Sequence, residues 1–246
     1  MTTTDGVRFV VITGGGTGIG AAAAELFVNS GHSVTITGRR KDVLADTAAR
    51  LGVSYLAFDA ADPSSVQAAL DQLPERVDVL VNNAGGNTDR RRQAVAEGDL
   101  AGVAAAWRAN FEANVLPVVL VTEALKPRLA EGARIVTVGS IAAKRGSGSY
   151  GSAKAALEAW NVDTARTLAQ RTVTANLVAP GVTLDTEFFG GAVSDEWVQS
   201  RVSAAFDRRA ATPMEVADMI FFLARPESGH VTGQVVHVNG GAYASS

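Results

Sequence analysis

Seven short apolar runs, rich in β-branched residues, recur along the chain at 9–12, 33–37, 54–58, 77–81, 134–138, 173–178 and 235–238. Longer, alanine-rich stretches with helical character separate them. Continuous apolar strands alternating with helices predict a parallel sheet covered on both faces, because a strand buried on both sides carries no polar alternation. Local signals fall where that scheme needs them. Asp62-Pro63 reads as an N-cap followed by a first-turn proline, and Thr212-Pro213-Met214-Glu215 as a capping box. Gly52 after Leu51 supplies a helix stop for 42–50. No tandem repeat, linker or break in composition appears, so one α/β domain is expected over 1–246.

Two stretches fit neither pattern. Residues 85–98 are polar and include Arg90-Arg91-Arg92; residues 187–210 are mixed and include Phe188-Phe189 and Trp197. An arginine triplet is ordinarily a solvated loop. Both stretches follow expected strand carboxyl ends, where a doubly wound sheet binds its ligands, so substrate contact is the sharper alternative. Residues 187–210 are read as a substrate-covering segment.

Composition narrows the partners. The chain has 246 residues, 47% hydrophobic and 6% aromatic, so its core is built from Val, Ala, Leu and Ile. A net charge of −3 gives no electrostatic case for nucleic acid or an anionic membrane. Without cysteine there is no disulfide, thiol catalysis or zinc–thiolate site. His32, His230 and His237 are scattered without ligand spacing, so no metal is expected. Trp107, Trp160 and Trp197 read as packing residues. The first residues lack a basic-then-apolar signal and no run approaches a membrane span, which predicts a cytoplasmic protein.

Two motifs carry chemistry. Thr13-Gly14-Gly15-Gly16-Thr17-Gly18-Ile19-Gly20 lies between an expected strand and an expected helix. In that context glycines let the backbone approach a pyrophosphate, and the helix N-terminus supplies free N–H groups and partial positive charge. Tyr150 and Lys154 stand four apart, on one face of a helix, where a cation favours phenolate. Either motif alone has an ordinary explanation, as a tight turn or a chance pair.

Together they make the chain resemble the short-chain dehydrogenase/reductases, closest in appearance to 3-oxoacyl-(acyl-carrier-protein) reductases. Further matching positions are Asn82-Asn83-Ala84-Gly85, Asn114, Ser140, Pro180-Gly181 and the terminal stretch from Thr232 to Gly241. The resemblance implies a Rossmann-type, seven-stranded parallel sheet and a homotetramer. It implies Tyr150 as general acid/base and Lys154 as its pKa-lowering, ribose-holding partner. Ser140 would bond the substrate oxygen, and Asn114 would hold a water behind the lysine. Gly14, Gly16, Thr17, Gly18, Ile19, Gly20, Asp59, Ala60, Asn83, Ala84 and Gly85 would line the dinucleotide, with Pro180, Gly181, Thr183 and Thr186 near the nicotinamide. Ser140 and Tyr150 have only nine residues between them where the family usually has about a dozen. Ser147 and Ser149 are therefore alternatives, with Ser140 preferred for its strand-end position.

The second strand leads into Gly38-Arg39-Arg40. An NAD-binding chain typically places an acid there for the ribose 2′-hydroxyl, whereas a guanidinium grips a 2′-phosphate. Arg39 and Arg40 are therefore expected to bind NADP, although Thr17 stands where a second basic residue would help. The substrate would be a carbonyl or alcohol: a 3-oxoacyl thioester, another ketone, a steroid or a sugar. The alternatives are a non-catalytic dinucleotide sensor on the same fold and an extended sugar-nucleotide epimerase, which needs a longer carboxyl domain.

Overall fold

The computed structural model describes residues 6–189 and 194–244, so residues 190–193 of the expected covering segment lie outside the described residues. In chain order the elements are β1 (Phe9–Thr13), α1 (Gly18–Asn29), β2 (Ser33–Gly38), α2 (Lys41–Leu51), β3 (Ser54–Ala57), α3 (Pro63–Ala69), β4 (Val77–Asn82) and α4 (Leu100–Asn114). They continue with α5 (Leu116–Leu125), β5 (Leu129–Val138), α6 (Ala142–Arg145), α7 (Gly148–Leu168), β6 (Thr174–Pro180), α8 (Asp195–Val202), α9 (Pro213–Ala224) and β7 (Val235–Val238).

The seven strands form one parallel sheet in the order β3-β2-β1-β4-β5-β6-β7. Strand order reverses between β1 and β4, which places a crevice at their carboxyl ends. Alternate residues of one strand feed opposite cores. Val10 and Ile12 pack with Phe27, Ile36, Ile220 and Leu223 on one face. Val11 packs with Leu80, Val121, Leu125 and Ile135 on the other. This two-sided burial is why the strands read as unbroken apolar runs.

The expected caps form. Asp62 accepts from the Ser65 N–H, Gly52 closes α2 at φ 68°, and Thr212 and Glu215 make a reciprocal capping box. Strand β5 is longer than expected, because Leu129 pairs with Val77 ahead of a register shift. Helices α4 and α5 are separate elements around Val115. Pro117 has no N–H to offer the Ala113 carbonyl four residues back, so one continuous helix is disfavoured. Among the described residues no helix is long and apolar enough to cross a membrane.

Candidate functional site

The glycine turn runs from the end of β1 into α1. Gly18 has φ 52°, and a Cβ on Gly20 would lie 2.3 Å from the Gly14 carbonyl oxygen, so side chains at these places would strain or block the turn. Thr17 is the N-cap of α1, yet its side chain makes no capping bond and the first turn carries no acid. The first N–H groups of this helix are thus left for an anion. Behind the turn, the Asn83 amide donates to the carbonyls of Thr13 and Gly14 at 3.2 and 2.9 Å. The backbone N–H groups of Asn83 and Ala84 both donate to Thr13 Oγ1, at 3.0 and 3.1 Å. Asn83 therefore staples β4 to the turn with its side chain, leaving Ala84 and the exposed Gly85 at the crevice.

The expected ribose-side residues divide. After β3, the exposed Asp59 accepts from the Ala61 N–H at 2.9 Å, and Ala60 is buried. Arg39 and Arg40 are both exposed after Gly38. Arg40 pairs with Glu187, which holds its pKa above the ordinary arginine value. Arg39 makes no ion pair among the described residues. After β6, Gly181 donates to the Val238 carbonyl, and Thr183 is buried in a bridge with Ala211. Thr186 donates to the Thr183 carbonyl at 3.3 Å, and its Cγ2 lies 3.1 Å from where a Gly18 Cβ would stand. Thr186 is thus the threonine packed against the glycine turn.

Strand β5 and helix α7 bring the reactive side chains together. Ser140 follows the strand end, accepts from the Ala142 N–H at 3.1 Å, and its hydroxyl is close enough to the Tyr150 phenol to favour the phenolate. Lys154 is buried one turn along α7, and its Nζ donates to the Val138 carbonyl at 2.9 Å. The expectation that Lys154 lowers the Tyr150 pKa is not met. Burial pushes the phenol up to about 12 against the opposing Ser140 hydrogen bond, while burial pulls the Lys154 ammonium down to about 8. Desolvation disfavours the charged form of each, and the lysine spends a hydrogen bond on a backbone carbonyl.

Asn114 ends α4 in full burial. Its Nδ2 donates to the carbonyls of Gly86 and Asn110 at 2.8 and 2.9 Å, and its Oδ1 accepts from the Gly86 N–H at 3.1 Å. The side chain therefore clamps the turn after β4, where a water-holding role had been expected of it. A Cβ on Gly85 would lie 2.8 Å from Asn114 Oδ1 and 3.5 Å from Lys154 Nζ, so glycine turn, asparagine and lysine converge there.

The short connection before Tyr150 is filled by α6, which lies against α7. A Cβ on Gly151 would come within 2.7 Å of the Ala142 carbonyl oxygen. Ser147 is exposed and makes no side-chain capping bond. Ser149 is buried, donates to Asp89 Oδ2 at 2.9 Å and accepts from Asn110 Nδ2 at 2.8 Å. Of the three serines, Ser140 is the one whose hydroxyl acts on the Tyr150 phenol. Phe188, Phe189, Trp197 and Arg90 also assemble beside Tyr150, through ring contacts and stacked guanidinium. The sequence signalled them only as two anomalous stretches after strand ends, and Trp197 had been read as plain packing.

With this geometry in view, the chain matches over residues 14–243 a family model described as enoyl-(acyl carrier protein) reductase. It is 31% identical over 246 residues to a 3-oxoacyl-[acyl-carrier-protein] reductase of Vibrio harveyi, covering 96% of this chain and 97% of the relative. The chain belongs to the short-chain dehydrogenase/reductase family. A short-chain dehydrogenase of Burkholderia cenocepacia, solved in complex with NADP, superposes with a TM-score of 0.84 at 31% identity, over 97% of this chain and 98% of that one. A blue fluorescent protein from a metagenomic library, in complex with NADPH, gives 0.84 at 30% identity, over 96% and 98%. As a short-chain dehydrogenase/reductase the chain is a nicotinamide-dependent oxidoreductase acting on C=O and CH–OH groups.

Proposed function

We propose that this chain is an NADP(H)-dependent carbonyl reductase or alcohol dehydrogenase with Tyr150 as its general acid/base. The observation that carries this reading is the meeting of Tyr150 and Ser140 at the carboxyl edge of the sheet, with Lys154 on the same helix anchored to the Val138 carbonyl at 2.9 Å. The residues present suit the dinucleotide. A glycine turn without room for side chains leads into an uncapped, acid-free helix N-terminus fit for a pyrophosphate. Gly38 offers no acid to repel a 2′-phosphate, and Arg39 follows with no competing ion pair among the described residues. When bound, the nicotinamide supplies the hydride.

The side chains supply the rest. A phenol held up to about 12 remains protonated at neutral pH, ready to donate to a carbonyl oxygen. Ser140 gives that oxygen a second hydrogen bond as negative charge grows on it. Lys154, through its bond to the Val138 carbonyl, fixes the turn of α7 that carries the phenol, and in the reverse direction Tyr150 takes the alcohol proton. Asn114 and Gly86 fix the turn that limits the crevice behind the lysine.

Assembly as a homotetramer fits the apolar stripe of α4, where Leu100, Val103, Trp107 and Phe111 are exposed at helical spacing. Sedimentation at micromolar protein tests it. The enzymatic reading is tested by a panel of carbonyls and alcohols, followed at the nicotinamide absorbance with NADPH and NADH separately. NADPH-dependent carbonyl reduction is expected. Dinucleotide binding without turnover on any member would favour a sensor.

A further inference from the structure

Two segments far apart in sequence meet over Tyr150. The Phe188 ring lies 5.7 Å from the Tyr150 ring, and Phe189 stands edge-on to Phe188 at 5.2 Å and 88°. Trp197 of α8 continues the cluster, 5.0 Å from Phe189. From the turn after β4, the Arg90 guanidinium carbon lies 4.9 Å from the Phe189 centroid and 5.2 Å from that of Trp197. A cation over aromatic faces is attracted by their quadrupoles. Among the described residues Arg90 has no carboxylate ion-pair partner.

The backbone that carries Arg90 is fixed from behind. Thr88 N–H donates to Asn110 Oδ1 at 3.1 Å, and the Asp89 carboxylate accepts from Ser149. Because Ser149 precedes Tyr150 on α7, the platform beneath Arg90 and the helix bearing the phenol are one bonded unit. Arg90 thus links the catalytic helix's own support to the aromatic cluster beside the phenol.

Resting on the oxidoreductase reading above, we propose that Arg90 is a positioning residue that clasps Phe188, Phe189 and Trp197 over Tyr150, and that this wall selects carbonyl substrates bearing a flat, apolar substituent. An aryl group beside the reacting carbon meets ring edges and faces of the kind aromatic pairs favour. A polyhydroxylated or carboxylate-bearing substituent would be stripped of water against rings that return few hydrogen bonds.

The test compares the full-length chain with Arg90→Ala and Arg90→Lys, using NADPH and three carbonyls: an aryl methyl ketone, a short aliphatic ketone and an open-chain sugar. The wild type is expected to prefer the aryl ketone. Arg90→Ala should raise its KM by about 2- to 5-fold, as for loss of a cation–π contact at an exposed site, with kcat within about twofold. KM for the short aliphatic ketone should stay unchanged, and Arg90→Lys should recover much of the aryl KM. The second readout is acrylamide quenching in variants that keep Trp197 as their single tryptophan, where Arg90→Ala should be quenched more strongly than Arg90→Lys. Equal quenching of the two would overturn the clasp, and an unchanged aryl KM or a wild-type preference for the sugar would overturn the selection. Absence of turnover on every carbonyl would instead defeat the oxidoreductase reading, while quenching, which needs no turnover, still decides the clasp.

Discussion

The Lys154 ammonium and the Val138 carbonyl are 2.9 Å apart, which ties helix α7 to the end of strand β5 directly beneath the Tyr150–Ser140 pair. The lysine is both a brace and a charge, and burial holds it near 8. Between that value and the ordinary lysine range, the unfolded chain keeps a proton that the folded chain has released. Stability from this group therefore rises with pH above about 8. Tyr150 acts in the opposite sense at higher pH. Raised to about 12, it keeps a proton that the unfolded chain loses above the ordinary tyrosine value, so its contribution falls from there upward. Thermal melts between pH 7 and 10 at constant salt should show Lys154→Met losing the rise that the wild type gains above about pH 8. Parallel curves for the two would refute this.

Tyr150→Phe keeps the ring and its contact with Phe188 and removes only the transferable proton. Turnover should fall on the order of 10²–10⁴-fold with dinucleotide affinity nearly unchanged. Single-turnover kinetics alongside a binding titration check both halves, and near-normal turnover would eliminate Tyr150 as the acid.

Ser140→Ala should lower turnover by roughly 10²–10³, the cost of removing one donor from a developing oxyanion. Ser147→Ala should be almost silent, since that hydroxyl is exposed and makes no capping bond to α7. Ser149→Ala should leave kcat near normal yet cost about 1–3 kcal/mol of stability, because Asn110 and Asp89 lose a buried partner. Steady-state rates and denaturant unfolding of the three variants separate these outcomes. A crippled kcat in either of the last two, beside a silent Ser140→Ala, would reassign the serine.

Arg39→Ala should weaken NADPH by about 1.5–3 kcal/mol and leave NADH nearly untouched, as expected for a charged hydrogen bond to the 2′-phosphate. Arg40→Ala should discriminate less between the two cofactors, because its guanidinium is engaged by Glu187. Calorimetric titration of both variants with both cofactors decides it. Equal losses for NADPH and NADH in Arg39→Ala would contradict the assignment.

The sheet was legible because strands such as Phe9–Thr13 are buried on both faces and so read as unbroken apolar runs. The helix caps were legible because Asp62, Gly52 and Thr212 act within a few residues of themselves. The break before α5 needed Pro117 to be weighed against the carbonyl it cannot serve. The direction of the Tyr150 shift was missed for a different reason. Four-residue spacing puts Lys154 on the right face of α7 but cannot say that its Nζ reaches across to Val138, nor how thoroughly the pair is buried. Asn110, Asp89 and Ser149 form one polar unit only after three separate segments pack, and Arg90 meets Trp197 only through the tertiary fold. Such side chains carry no local periodicity that would announce them.

Gly151 and the brevity of the segment before Tyr150 are two halves of one trait. The Ala142 carbonyl sits where a residue-151 side chain would stand, so the short connection and the missing methyl depend on each other. Gly151→Ala alone should push α6 away and disturb Ser140, whereas the same alanine should be tolerated where a lengthened connection lets α6 stand off. A change in loop length here therefore alters which amino acids the helix next to the phenol can accept. Exchanging substrate loops between this chain and a relative should succeed only when residue 151 travels with the loop.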